Sequence, residues 1–168
     1  MFLWFAGTAF VIVWAVFRDT AIDYRLVMAG AVLPDVVDAA FGGPRLAHTL
    51  LFSVVLLLGV MAATRHRRVL RRRLLALPIG TFCHLVVDAM WARTRVFWWP
   101  FFGSSFEGDR LPSLDRPVAL LAVQELAGAL ALALVYRRFR LAEGERRRQF
   151  LTTGRLGRDL RTIEPPTC

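Results

Sequence analysis

Ionisable side chains stand inside apolar stretches of this sequence, where such groups are costly and by default indicate function. His84 and Asp88 are four residues apart, so a helix would place both on one face. An imidazole and a carboxylate in this arrangement can bind a divalent metal ion, and another histidine and carboxylate would complete a site of three or four ligands. The spacing therefore predicts a metal site built around His84 and Asp88.

Four other residues share this setting and could complete the site: Asp35, Asp38, His48 and Glu125. A mixture of imidazole and carboxylate favours Zn, with Mn or Fe as alternatives, over Ca or Mg, which prefer oxygen ligands alone. Each residue also has a purely structural interpretation, because histidine can donate a hydrogen bond between helices and carboxylates can cap a helix or pair with a neighbour. The residue types alone leave both interpretations open.

The elements that must position these residues are long apolar stretches. A helix needs about 20 residues, at 1.5 Å each, to cross ~30 Å of hydrocarbon. Stretches near this length, the first of them shorter, lie at 2–17, 46–64, 74–92 and 117–136. A fifth stretch, 21–41, contains Pro34 and several charged residues, and we expect it to be broken or re-entrant.

Composition agrees with a membrane protein. Of the 168 residues 56% are hydrophobic, yet the net charge is +9, and every basic residue is arginine. A disordered polybasic protein is excluded because it would be poor in apolar residues, and an ordinary soluble domain is disfavoured. We therefore predict an all-α, polytopic membrane helical bundle with four to five transmembrane segments. It forms a single domain, 1–140, followed by a flexible basic tail, 141–168.

The arginines also predict how the chain is oriented. Arginine is enriched in short cytoplasmic loops, and the loop 65–73 contains six of them. Six more follow the last predicted span, between residues 137 and 148. If both groups are cytoplasmic, the residues His48, His84, Asp88 and Glu125 all fall in the opposite, outer half of the membrane. Their convergence at one depth favours a shared site.

Three sequence patterns resemble the signatures of a bacterial inner-membrane family of predicted metal-dependent hydrolases, also described as LexA-binding. That family shows L-P-D-x-D, then H-R-G-x-T-H-S-L-L, then S-H-x-x-x-D with a W-P-F-type sequence about ten residues later. The matching residues are Leu33-Pro34-Asp35, Arg45-Leu46-Ala47-His48-Thr49-Leu50-Leu51-Phe52, Cys83-His84-Leu85-Val86-Val87-Asp88 and Trp99-Pro100. The resemblance covers roughly 32–102. It implies a multi-pass protein of the bacterial cytoplasmic (inner) membrane with metal ligands Asp35, His48, His84 and Asp88.

The chain departs from these signatures at two positions. Gly43 stands where the family has the first histidine of its second signature. Val37 stands at the second aspartate of the first signature, with Asp38 one position later. Glu125 lies outside the family pattern and is a candidate only because it is an acidic residue within the apolar stretch 117–136. One expected ligand is therefore missing from this chain.

The leading functional prediction is a membrane-embedded, metal-dependent hydrolase with its site near the extracytoplasmic face. A metal-activated water would attack a lipid-like or lipid-linked substrate, and Asp38 or Glu125 would act as general base. One alternative is a non-enzymatic structural or regulatory membrane protein whose arginine loop binds a partner or anionic lipid. Another is a transporter that uses His84 and Glu125 as a proton relay. Nucleic acid is disfavoured, because membrane topology already explains the arginines.

Overall fold

The computed structural model describes residues 1–39, 45–103 and 116–157, and within these ranges the chain is helical and contains no strand. The longer helices are α1 Phe2–Phe17, α2 Tyr24–Ala39, α3 Leu50–Ala63, α5 Ala76–Val87 and α7 Val118–Arg138. The shorter ones are α4 Arg68–Leu74, α6 Thr94–Phe97 and α8 Gly144–Thr153, with 3₁₀ turns at Leu46–His48 and Met90–Ala92. The all-α prediction is confirmed.

Helix α7 is the described helix that is long and apolar enough to cross a membrane. It has 21 residues, with a mean hydropathy of 2.2 over its most apolar window, and almost none of that window is buried in the protein. Helices α1 and α3 are also apolar but shorter, with 16 and 14 residues. By length and composition, therefore, one described helix could cross a membrane, and the predicted four to five spans stay a prediction.

Two of the predicted spans are shortened at one end by local backbone signals. Thr49 is extended, with a ψ of 149°, and its hydroxyl accepts a hydrogen bond from the Phe52 N–H at 3.0 Å, so α3 begins only at Leu50. Helix α5 ends at Val87 because Ala89 has a φ of 55°, in the left-handed region. Both interruptions fall beside the candidate metal ligands.

Helix α2 continues through Pro34, whereas the sequence predicts a broken or re-entrant segment at 21–41. A proline inside a helix removes one N–H donor and crowds the carbonyl four residues earlier, here that of Gly30. Close packing against α5 holds the helix on both sides of this defect. A Cβ on Gly30 would overlap the Leu77 carbonyl, and a Cβ on Gly80 would lie 2.9 Å from the Ala31 nitrogen.

The predicted flexible tail, 141–168, is ordered in its first part. It contains α8, and Leu141 and Leu156 are buried. The Leu156 N–H donates to the Thr20 carbonyl at 3.0 Å and the Tyr24 N–H donates to the Gly154 carbonyl at 2.9 Å, which ties the end of α8 to the α1–α2 connection. Residues 158–168 lie outside the described ranges.

Candidate metal centre

Asp35, His48 and His84 meet at one point, although they come from three different elements. Asp35 lies in the last turns of α2, His48 in the 3₁₀ turn before α3, and His84 in the last turn of α5. Each offers one ligand atom, and these atoms lie within 4.8 Å of one another. Both histidines are 0% exposed and Asp35 is 7% exposed. We call these three residues the metal centre.

The three ligand atoms form a nearly regular triangle. The Nε2 atoms of His48 and His84 are 3.3 Å apart. Asp35 Oδ1 lies 3.4 Å from His48 Nε2 and 3.7 Å from His84 Nε2. Ligands at ~2.1 Å from a tetrahedral ion are about 3.4 Å apart, so the triangle matches three corners of such a site. A tetrahedral ion held by these three atoms would have a fourth corner for water or substrate.

The His84 ring is oriented by a backbone carbonyl. Its Nδ1 lies 2.7 Å from the Ala31 carbonyl oxygen. A carbonyl can only accept a hydrogen bond, so Nδ1 must carry the proton and Nε2 presents its lone pair to the centre. Metal-bound histidines are fixed by this type of outer contact.

Asp38 orients the second imidazole in the same way. Its Oδ2 accepts from His48 Nδ1 at 2.7 Å and from the Arg45 N–H at 2.6 Å, and its Oδ1 accepts from the Ala47 N–H at 3.3 Å. Asp38 is 1% exposed. Since both carboxylate oxygens accept hydrogen bonds, Asp38 is placed to position His48. Its role as general base stays a prediction.

Helix α1 closes the centre on one side. The Phe5 ring packs against the His84 ring with centroids 4.0 Å apart, and Phe5 is 1% exposed. The imidazole rings of His48 and His84 meet edge to face, with centroids 5.1 Å apart. Apolar packing on one face and hydrogen bonds on the outer nitrogens leave the two Nε2 atoms pointing into a shared space.

Asp88, predicted as a ligand, lies outside the three-residue group. It is the residue that caps the C-terminal end of α5. Its Oδ1 accepts from the Arg116 guanidinium at 2.9 Å, and Arg116 also donates to Gln124 at 3.2 Å. Asp88 Oδ2 is buried and has no hydrogen-bond partner among the described residues. Asp88 therefore offers one free carboxylate oxygen near the end of the helix that carries His84.

Glu125, the other predicted base, is held elsewhere. Its Oε2 accepts from the Leu3 N–H at 3.2 Å, so it satisfies a donor in the first turn of α1. It is not part of the metal centre among the described residues. His66, the third histidine, is exposed in the arginine loop 65–73.

Sequence reasoning missed the contacts that orient the ligands. Ala31 contributes only its carbonyl, for which the residue type gives no signal. Phe5 is one of many apolar residues in its stretch. Arg116 could have been identified from the sequence, because it comes just before the predicted span 117–136 and an arginine at that position needs an acidic or polar partner.

No family model, curated protein or solved structure matches the chain. The resemblance to the inner-membrane hydrolases therefore stays a prediction. The buried group of Asp35, His48 and His84 could hold a metal ion on its geometry alone.

Proposed function

We propose that the protein is a membrane-embedded hydrolase that depends on a metal ion held by Asp35, His48 and His84. The observation that carries this proposal is the triangle of two oriented Nε2 atoms and one carboxylate oxygen with edges of 3.3, 3.4 and 3.7 Å. Two histidines, one carboxylate and an open position are typical of catalytic zinc sites and also of Fe(II) sites. Zn is our first choice, with Mn or Fe as alternatives.

Such an ion, when bound, polarises a carbonyl or phosphoryl oxygen and activates a water molecule as the nucleophile. The chain supplies the positioning, because the Ala31 carbonyl and Asp38 fix the two imidazoles. Asp88 replaces Asp38 and Glu125 as our candidate proton acceptor, since its buried Oδ2 has no partner within the described ranges, whereas Glu125 Oε1 lies 3.7 Å from the N-terminal ammonium. Arg116, which holds the other oxygen of Asp88, would set the orientation of that base.

The membrane arrangement of four to five spans is part of the proposal. Helices α3 and α5 are 14 and 12 residues long, about 21 and 18 Å, so they would need their 3₁₀ flanks and local thinning of the bilayer. Exposed apolar side chains support lipid contact, for example Val118 at 81% and Leu126 at 71% exposure. The metal centre lies where α5 ends and α3 begins, and the arginines of α4 lie at the opposite ends of these two helices. This separation supports a centre near the extracytoplasmic face of a bacterial inner membrane.

An apolar cavity supports a lipid-like substrate. It has a volume of about 530 Å³ and lies between α1, α3 and α5. Its lining includes Leu50, Cys83 and Val86, which flank His48 and His84 along the chain. None of the three ligands is among the described residues that line the cavity, so an acyl chain there would lie against residues that are next to the ligands in sequence.

The test is hydrolysis by the purified full chain in detergent micelles. Acyl-ester and phosphate-ester lipids are offered to the protein before and after removal of metal with a chelator. We expect turnover that is lost on chelation and restored by Zn, Mn or Fe. Asp88→Asn should keep its metal but lose about 10²–10⁴-fold in rate. Full activity of the chelated protein, or of Asp88→Asn, would refute this mechanism.

A further inference from the structure

A second site lies between α4 and α8, away from the metal centre. The two helices flank a cavity of about 810 Å³ that is open to the protein surface. Its polar lining consists of His66, Arg67, Arg68, Arg73, Arg155 and the pair Thr152 and Thr153. We call this the basic cavity. The proposed hydrolase reaction does not use it, and the predicted topology accounts for the number of its arginines but not for their arrangement around one cavity.

The basic cavity is built by specific contacts and is more than an arginine-rich surface. Asp23, only 1% exposed, accepts from Arg73 Nε at 2.8 Å and from Arg25 Nη2 at 3.0 Å. Arg25 also donates to the Leu151 carbonyl at the end of α8. Gly154 has a φ of 71°, and a Cβ there would overlap the Asp23 carboxylate. These contacts hold α8 against the α4 side of the protein.

The nearby acidic groups are already used by other arginines. Asp19 pairs with Arg72 at 2.8 Å. The Ala21 N–H and the Arg72 guanidinium both lower the pKa of Asp19 below its usual range, so this carboxylate stays charged and engaged. Asp23 is shared between Arg25 and Arg73, and Arg73 itself lines the basic cavity. Neither acid forms an ion pair with Arg67, Arg68 or Arg155.

Among the described residues, three guanidinium groups of the basic cavity form no ion pair, although Arg155 lies near enough to Asp19 to help lower the pKa of that carboxyl. In the ranges 1–39, 45–103 and 116–157, the side chains of Arg67, Arg68 and Arg155 make no ion pair and no hydrogen bond. Like charges held in one cavity repel each other, and an anion would relieve this. Guanidinium groups bind phosphate oxygens through pairs of parallel hydrogen bonds, and threonine hydroxyls can add to such a site.

We propose that the basic cavity binds a phosphate-bearing anion. The shared chemistry is a phosphate ester with two or more charged oxygens, presented either by the headgroup of an anionic phospholipid or by a soluble phosphate compound. A volume of about 810 Å³ exceeds that of a single phosphate and accommodates a headgroup or a diphosphate. The site is independent of the metal centre. If no anion binds to the basic cavity, the hydrolase proposal is unaffected.

The test measures binding to the purified full chain in neutral detergent by titration calorimetry. The probes are inorganic pyrophosphate, short-chain phosphatidylglycerol and, as a zwitterionic control, short-chain phosphatidylcholine. We expect one or both anionic probes to bind. Arg67→Ala, Arg68→Ala and Arg155→Ala should each weaken binding about tenfold. The matched control is Arg147→Ala with Arg148→Ala, which removes two exposed charges from α8 outside the cavity and should change the Kd less than about threefold.

Gly154→Ala separates cavity structure from net charge. It keeps every arginine but displaces the end of α8 through the clash with Asp23, so we expect it to weaken binding as much as the cavity substitutions do. Thermal unfolding of each variant checks that the protein still folds. If Gly154→Ala does not fold, the proposal is tested by Arg155→Ala, which changes an exposed residue. Binding of phosphatidylglycerol alone identifies a lipid headgroup, and binding of pyrophosphate identifies a soluble phosphate. Equal loss in the control pair, or no binding of either anion, would overturn the proposal.

Discussion

Asp38 acts on the metal centre through another residue. Its carboxylate accepts from His48 Nδ1 and from two backbone N–H groups, so it fixes both the ring tautomer and the ring direction. It is therefore a positioning residue, and its loss should weaken metal binding without abolishing it.

We predict that Asp38→Asn lowers the metal affinity about 10–100-fold, because the neutral amide supports the imidazole less well and sets an NH₂ group against a backbone N–H. Competition with a chromophoric chelator measures this directly. Asp19→Asn, which changes a carboxylate paired with Arg72 far from the centre, is the control and should bind metal like the wild type. An unchanged affinity in Asp38→Asn would show that His48 does not need this partner.

Residue type and position placed Asp35, His48 and His84 among six candidates, because ionisable groups in apolar stretches are rare. They did not single out these three as the residues that meet at one point. The role of Asp88 could not be predicted, because it depends on the left-handed Ala89 that ends α5 and on Arg116, which is 28 residues away along the chain. The four-residue spacing of His84 and Asp88 correctly predicted a helix at His84, but it did not predict that α5 ends at Val87, just before Asp88.

At the scale of elements, the close crossing of α2 and α5 aligns the metal centre. Helix α2 carries Asp35 and the Ala31 carbonyl, and α5 carries His84. Glycines let the two backbones touch, since a Cβ on Gly80 would overlap the Val27 carbonyl and lie 2.9 Å from the Ala31 nitrogen. The geometry of the centre therefore depends on residues that never contact the ion.

We predict that Gly80→Ala destabilises the protein by about 1–3 kcal/mol and also weakens metal binding, because the added methyl group forces α2 and α5 apart. Thermal unfolding and metal titration together measure the two effects. Gly59→Ala is the matched control, since a Cβ there meets no atom within 4 Å. It should be neutral or slightly stabilising, as alanine favours helix by up to ~1 kcal/mol. Equal behaviour of the two variants would argue against the close crossing.

The existence of the helices was easier to predict than their ends. Apolar stretches predict helices, and the five longer helices largely coincide with them, whereas the short helices α4, α6 and α8 lie mostly outside these stretches. The ends depend on single residues such as Thr49, whose hydroxyl caps α3, and on packing that carries α2 through Pro34. These effects arise from hydrogen bonds and tertiary contacts that periodicity does not record.

At the scale of the whole molecule, the two ends of the protein differ in charge. The basic cavity and the arginines of α4 lie at one end of α3 and α5, and the metal centre lies at the other. In the proposed topology the first end is cytoplasmic and the second is extracytoplasmic.

Cysteine labelling in intact cells tests this orientation. In a Cys168→Ser background, we predict that Trp98→Cys, at a position that is 42% exposed in the wild type, reacts with a membrane-impermeant maleimide. His66→Cys, in the arginine loop, should react only after the cells are lysed. The buried Cys83 serves as the internal background and should stay unlabelled. The reverse labelling pattern would invert the topology and place the centre in the cytoplasmic half.

The most direct test of the metal centre is the metal content of the purified full chain, measured by mass spectrometry. We predict about one ion per wild-type chain, held by the three ligands that fit a tetrahedral site. His48→Ala and His84→Ala should each lose the ion, whereas His66→Ala, which changes the exposed loop histidine, and Asp88→Asn should keep it. A wild-type protein without metal, or His84→Ala protein that retains a full complement, would contradict the proposed centre.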